Sequence, residues 1–286
     1  GMISDIVGGE KKLEKPEPAT EEQVLRVHSR DLLDFIGVHA ASGGGILDSD
    51  NVISPRSLEA ALTAAGAAVQ AVEAVWTGPL PRAFGAVRPP GHHARPGTLM
   101  GFCLLNSAAI AAQHARVVLG AERVAVLDVD VHHGNGTQEI FYEDPTVFYA
   151  SLHRFPLWPP GSGLAVETGK GRGKGQNLNI PLPHDTSPKT YMSALEGAAE
   201  EVLTRKPDLL IVSAGFDTYR EDPVSDGGLN LDIEDYWIMG GRIRRLADEA
   251  CQGRVVSLLE GGYDLSALPN LVEAYLSGLT GYPLRA

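Results

Sequence analysis

Cysteine is nearly missing. Only Cys103 and Cys251 occur among 286 residues, so neither a disulfide framework nor a four-cysteine zinc site can be built. That usage fits a reducing cytoplasm. Basic residues are also short, 24 Lys plus Arg against 36 Asp plus Glu for a formal charge of -12. Non-specific nucleic-acid binding, which depends on neutralising phosphates, is thereby excluded as an expectation, whereas cationic substrates would be drawn by the overall field. No unbroken apolar run reaches the ~18 residues that a membrane span needs. Gly1-Met2-Ile3-Ser4 lacks the basic stretch and apolar core of a signal peptide. Internal repeats and dividing linkers are absent too. What is present, 43% hydrophobic and 21% charged residues, excludes general disorder and suits a globular chain.

Residues 1–19, with Lys11, Lys12, Lys15, Pro16 and Pro18, read as a polar leader, and residues 20–286 as a single domain. Thr20-Glu21-Glu22-Gln23 has the form of a capping box and predicts a helix with Leu25, Leu32, Leu33 and Ile36 on one face. A loop follows through Gly43-Gly44-Gly45 and Asp48-Ser49-Asp50-Asn51, then an Ala-rich helix over 55–76. Short apolar runs at 83–87, 124–131, 147–152, 209–213 and 255–259 then alternate with helical stretches near 104–119, 188–203, 233–250 and 266–279. Continuous hydrophobicity in the short runs implies burial on both faces, hence an α/β fold with a mostly parallel central sheet between helix layers. The glycines of 169–175 alternate with basic residues, but no strand precedes them and no Lys-Ser/Thr follows. A flexible surface loop is expected there, not a phosphate cradle.

The densest polar cluster ends the strongest apolar run: Asp128-Val129-Asp130-Val131-His132-His133-Gly134-Asn135-Gly136. Alternate residues of a strand share a face, so Asp128, Asp130 and His132 should project together. Three buried ionisable groups are costly without a cation, and a metal removes the difficulty; the competing reading is a hydrogen-bonded helix cap or core network. Asp217, after the run 209–213, could add a carboxylate, although alone it would more often be a turn residue or helix cap. His92 and His93 follow the run 83–87 and the turn-forming Pro90-Gly91. They could move protons near neutral pH, or be surface or structural histidines. Tyr263, after two glycines, could swing its phenol over a site or pack on a rim.

Taken together, these segments resemble the zinc-dependent histone deacetylase and acetylpolyamine amidohydrolase superfamily. The resemblance runs from Ala19 to Tyr263, in order, through Pro90-Gly91-His92-His93, Gly101-Phe102-Cys103, Asp128 to Thr137, Ser151-Leu152-His153, Asn179-Ile180-Pro181-Leu182-Pro183, Ala214-Gly215-Phe216-Asp217 and Glu260-Gly261-Gly262-Tyr263. Its phrasing is similar to the class II-like branch and its bacterial relatives.

The resemblance implies a three-layer α/β/α fold of the arginase/deacetylase type. It implies zinc on Asp130, His132 and Asp217, His93 as general base, His92 as an electrostatic partner oriented by Asp128, and Tyr263 as oxyanion donor. The implied reaction is hydrolysis of an N-acyl amide by a metal-activated water, on an acylated amine such as an acetyl-lysine peptide or an acetylpolyamine. An acyl tunnel is implied beside Gly101 and Phe102, with Trp158 and Pro159 in the opposite wall. Monovalent cations, K+ or Na+, are implied at Asp128, Asp130, His132, Ser151 and Leu152, and at Phe141, Asp144 and Val147.

Three departures stand out. Asn135 occupies a position where many relatives carry Asp, which favours a neutral base beside it. Leu157-Trp158-Pro159-Pro160-Gly161-Ser162-Gly163 does not present the usual paired aromatics. The family's extra first strand and His-Pro-Glu-type loop are not seen before Thr20, leaving one rim of the entrance open or completed by a second copy in a homo-oligomer. Two other readings compete with a deacetylase: a catalytically idle acyl-lysine-binding module, and a two-manganese ureohydrolase, which needs more carboxylates than one metal's complement.

Overall fold

The computed structural model describes residues 15–284, so positions 1–14 of the expected leader lie outside the described residues. The end of that leader is packed, with Ala19 buried and its N–H donated to the Leu62 carbonyl at 2.8 Å. Thr20 caps α1 (Glu21–Leu25) through the expected capping box with Gln23. The single helix expected onward is broken, because Ser29 accepts from the Leu32 amide and starts α2 (Arg30–Ala41). Leu32, Leu33 and Ile36 are buried as expected, whereas on α1 Val24 takes the buried place assigned to Leu25.

The stretch read as one loop contains an antiparallel pair, β1 (Gly45–Ile46) with β2 (Val52–Ile53). The Asp48 carboxylate closes it by accepting from the Asp50 and Asn51 amides. Strands this short carry no readable period. Next, α3 (Ser57–Thr77) is by length and composition apolar enough to cross a membrane. In the fold Ala61, Ala65, Ala68, Val69 and Val72 bury its face in a core shared with α4 (Ser107–Val117) and one side of the sheet.

That sheet has six strands, β3 (Arg82–Gly85), β4 (Val124–Asp128), β5 (Val147–Arg154), β6 (Asn177–Leu182), β7 (Leu209–Ala214) and β8 (Val255–Leu259), in the order β3-β8-β7-β4-β5-β6. Every neighbouring pair is parallel. Side-chain alternation sends Val124 and Val126 into the core with α3 and α4, and Ala125 and Leu127 into a second core. The second core is closed by α6 (Pro188–Arg205), α7 (Ile233–Cys251) and α8 (Leu268–Thr280) through residues such as Leu195, Ile243 and Ala274. A strand buried on both sides has no polar face, which produces the continuous apolar runs and the three-layer α/β/α architecture. Each fully buried Leu or Val contributes about 1.5–3 kcal/mol relative to exposure.

Two elements lacked a readable signal. Strand β6 alternates Asn177 and Asn179 with Leu178 and Ile180 and contains Pro181, a pattern permitted only at a sheet edge. Helix α5 (Asn135–Phe141) lies inside the polar motif itself. The glycine-rich loop lies at the surface as expected, with contacts that anchor it at two points. Lys170 donates its N–H to the Tyr142 carbonyl at 2.8 Å, and buried Gly173 lies so close to Glu143 that a Cβ would collide.

Strands β5 and β6 extend the sheet to one side of β4, whereas β7 and β8 lie on its other side. The crevice beyond the carboxyl ends of β4 and β7 is therefore the topological switch point, where ligands bind in open α/β sheets.

Candidate active site

Strand β4 ends at Asp128, not at Val131 as expected. Asp130 and His132 are therefore presented by the turn over 129–134, not by strand alternation, and the Asp217 carboxylate ties that turn down by accepting from the Val131 amide at 3.0 Å. The expected trio is thereby corrected: Asp130 and His132 converge with Asp217, whereas Asp128, the last residue of the strand, turns its carboxylate to His92 and Tyr149. Asp130 Oδ1 and Asp217 Oδ2 lie 3.1 and 3.0 Å from His132 Nδ1, and one ligand atom from each of the three buried residues lies within 4.8 Å of the others. The second oxygen of each carboxylate is committed elsewhere. Asp130 Oδ2 accepts from the Gly261 amide at 2.8 Å, and Asp217 Oδ1 from Val131. One oxygen from each aspartate and one imidazole nitrogen thus converge.

This N/O set suits a divalent ion and leaves coordination positions open, as a hydrolytic metal site requires. Gly215 and Gly261 form a cradle around it, because a Cβ at either would strike the Asp130 or Asp217 carboxylates. The electrostatics agree. Burial opposes charge on His132, but its hydrogen bonding to the Asp130 and Asp217 carboxylates raises the imidazole to about 10. Burial and the neighbouring Asp130 charge lift Asp217 to about 7. An imidazole raised this far between two buried carboxylates marks a position that favours positive charge. Among the described residues, this is the one group of three or more His, Cys, Asp or Glu side chains so arranged. The donor set is one metal's complement, short of what a two-manganese centre needs.

The tandem histidines lie in a turn after β3, with ring centroids 3.9 Å apart, and His93 is 5.9 Å from His132. Both are buried and their partners differ. His92 Nδ1 donates to Asp128 Oδ2 at 3.0 Å. Burial would depress His92, but Asp128, Asp130 and Glu260 together raise it well above its ordinary value. His93 Nδ1 donates to the neutral Asn135 Oδ1 at 2.9 Å. Burial, with positive charge on His92 and His132, drives His93 well below its ordinary value. Carboxylates around His92 favour its cation, whereas His93 faces a neutral amide and its surroundings favour the uncharged ring.

Trp158, from the segment expected as a wall, stands beside the histidines. Its ring stands edge-on to His93 at 4.6 Å and to His132 at 6.4 Å. Gly101, at φ +57°, passes so close that a Cβ would collide with Trp158 and His93. Phe102 stands edge-on to Tyr263 at 5.9 Å. The phenol of Tyr263 is pushed upward by burial and by Asp217 and Asp130, so it stays protonated. Pro159 is buried behind Trp158 in sequence.

Of the expected monovalent-cation residues, Ser151 lies opposite Asp128 in the β4–β5 register, followed by Leu152. Phe141, Asp144 and Val147 gather elsewhere, where α5 leads into the amino-terminal end of β5, the end of the sheet away from the crevice.

Sequence reading missed Glu260 and Tyr149. Buried Glu260 accepts from the Gly91 and His92 amides at 2.6 and 3.1 Å and from Ser213 Oγ at 3.0 Å, fixing the histidine turn against β7. It follows an apolar strand just as Asp217 does, and that signal could have found it. Tyr149 donates its hydroxyl to Asp128 Oδ2 at 3.0 Å. It sits inside an apolar run with nothing to mark it.

Residues 3–279 match the histone deacetylase domain family. A probable deacetylase of Archaeoglobus fulgidus is 40% identical over 274 residues, 95% of this chain and 75% of that protein. A histone deacetylase-like amidohydrolase of Pseudomonas aeruginosa is 39% identical, covering 94% of this chain and 71% of its own. Among solved structures, the HD domain of HDA15 superposes with a TM-score of 0.90 at 33% identity, over 99% of this chain and 80% of that one. An acetylpolyamine aminohydrolase from Burkholderia pseudomallei gives 0.83 at 31%, over 92% and 84%.

Proposed function

Because this chain belongs to the histone deacetylase family and is a hydrolytic deacetylase, we propose that it cleaves the amide of an acetyl-lysine side chain or an acetylpolyamine, with one zinc ion on Asp130, His132 and Asp217. Such an ion supplies Lewis-acid activation of the substrate carbonyl and of a water molecule. His93, neutral and with Nε2 free, takes the proton from the attacking water as general base. His92, kept cationic by Asp128, stabilises negative charge building on the substrate, and the couple returns a proton to the departing amine. The Tyr263 phenol donates to the tetrahedral oxyanion. Products are acetate and the free amine.

Trp158, Gly101 and Phe102 would line a channel for the acyl-amine arm, a reading supported by the contacts of Trp158 with His93 and Gly101 and of Phe102 with Tyr263. The formal charge of -12 favours a cationic substrate. K+ or Na+ would be held by Asp128, Asp130, His132, Ser151 and Leu152, and a second such ion by Phe141, Asp144 and Val147.

The observation that carries this reading is the convergence of Asp130 Oδ1, Asp217 Oδ2 and His132 Nδ1 beside His93, with its Nδ1 committed to Asn135. Specificity constants on acetylated peptides, acetylpolyamines and longer acyl-lysines test it. Turnover of at least one acetylated amine, lost in His93→Ala, supports it; no turnover of any member by the zinc-loaded protein contradicts it.

A further inference from the structure

Tyr263 follows Gly261-Gly262, with Gly262 at φ +129°, a conformation that a side chain rarely allows. Two glycines in succession leave the phenol's position to be set from elsewhere. The restraint is Asp222. Its Oδ2 accepts from the Tyr263 backbone amide at 2.8 Å. Its Oδ1 accepts from the Val224 and Ser225 amides, each at 3.0 Å, and from Ser225 Oγ at 3.1 Å. Ser225 Oγ also reaches the Asp217 carbonyl at 2.8 Å, returning the chain of contacts to a residue of the convergent triad.

The loop that carries Asp222 is fixed from a third direction. Arg154, at the end of β5, places Nη1 on the carbonyls of Ser225, Asp226 and Gly228 at 2.6, 3.2 and 3.3 Å. Asp222 itself is buried. One carboxylate therefore spans two loops, tying the backbone that bears the phenol to the backbone that bears Asp217.

We propose that Asp222 is a positioning residue for Tyr263, fixing the phenol relative to Asp217 through the Tyr263 amide. This rests on the assignment of Tyr263 as oxyanion donor. The isosteric Asp222→Asn change isolates the contact. Two backbone donors, the Val224 and Ser225 amides, hold the amide oxygen at that side, so the NH2 group is turned toward the Tyr263 N–H, donor against donor.

The test compares kcat and KM on an acetyl-lysine peptide for Asp222→Asn in the parent and in the Tyr263→Phe background. The proposal predicts a kcat loss of roughly 10- to 100-fold in the parent, the scale expected of a small misplacement. KM should stay within about twofold, and the change should add less than about twofold once the hydroxyl is gone. Equal losses in both backgrounds, or no loss in the parent, overturn it.

Tyrosine ring NMR, with the Tyr263 signal assigned by its disappearance in Tyr263→Phe, reads the same contact without turnover. A signal shifted or broadened in Asp222→Asn supports the proposal, and one left unchanged overturns it, even if the parent proves inactive and the proposed function falls. Should Asp222→Asn fail to fold, an ester in place of the 262–263 peptide bond removes the same N–H with Asp222 intact, and the same outcomes decide.

Discussion

His93 gives its Nδ1 proton to the side-chain oxygen of Asn135 at 2.9 Å, an acceptor that orients the ring without charging it. With burial holding His93 well below its ordinary value, the ring stays neutral across physiological pH. Replacing Asn135 by Asp puts a negative charge at the same place and stabilises the imidazolium. The acid limb of the kcat/KM profile should then move upward by about one unit or more. A pH profile of the two proteins checks this, and an unmoved limb would take His93 out of the general-base role.

Removing the Tyr263 hydroxyl deletes one donor to the oxyanion. Tyr263→Phe should lower kcat by about 10²–10³-fold with little change in KM. Steady-state kinetics on an acetyl-lysine peptide decide it; near-full turnover would return Tyr263 to a packing role against Phe102.

His132 at about 10 and Asp217 at about 7 hold protons that a divalent ion must displace. At pH 7.5 zinc uptake should release about one proton per ion, mainly from His132, and affinity should fall as pH falls. Calorimetric titrations in buffers of differing ionisation enthalpy measure the release. A zero count would mean that the ion binds elsewhere.

Acid sensitivity has a separate origin at His28. Its Nδ1 donates to the Arg95 carbonyl and its Nε2 accepts from the Asn106 amide, bracing the histidine turn from behind. Burial lowers it to about 4. The folded state thus refuses a proton that the unfolded chain takes up below about 6.5. This stabilisation is complete above 6.5 and shrinks as pH falls toward about 4, by about 1.4 kcal/mol per pH unit at most. Urea unfolding at pH 7.5 and 5.5 should show a smaller pH difference in His28→Gln than in the parent. An equal difference would exclude His28.

The residues of the site were legible because they interrupt buried strands or directly follow them. Asp128 ends an apolar run, and Asp217 and the His92-His93 couple follow within a few residues of one; each alone had ordinary explanations, and their combination pointed to a site. The geometry was not legible. The strand period aligned Asp130 with His132, yet the strand ends first and a turn tied to Asp217 performs the alignment. Trp158 could not be placed because wall loops carry no period, and its position depends on Gly101 making room. In the fold, the doubly buried strands announced a parallel sheet, while edge strand β6, the β1–β2 pair and the break at Ser29 rested on local polar contacts too brief to form a pattern.

Metal-dependent turnover tests the account most directly. Protein stripped by a chelator should release no acetate from an acetyl-lysine peptide, and one equivalent of zinc per chain should restore activity in the parent but not in Asp217→Ala. Activity that survives stripping, or zinc-loaded protein with one ion per chain that cleaves no acetylated amine, would contradict it.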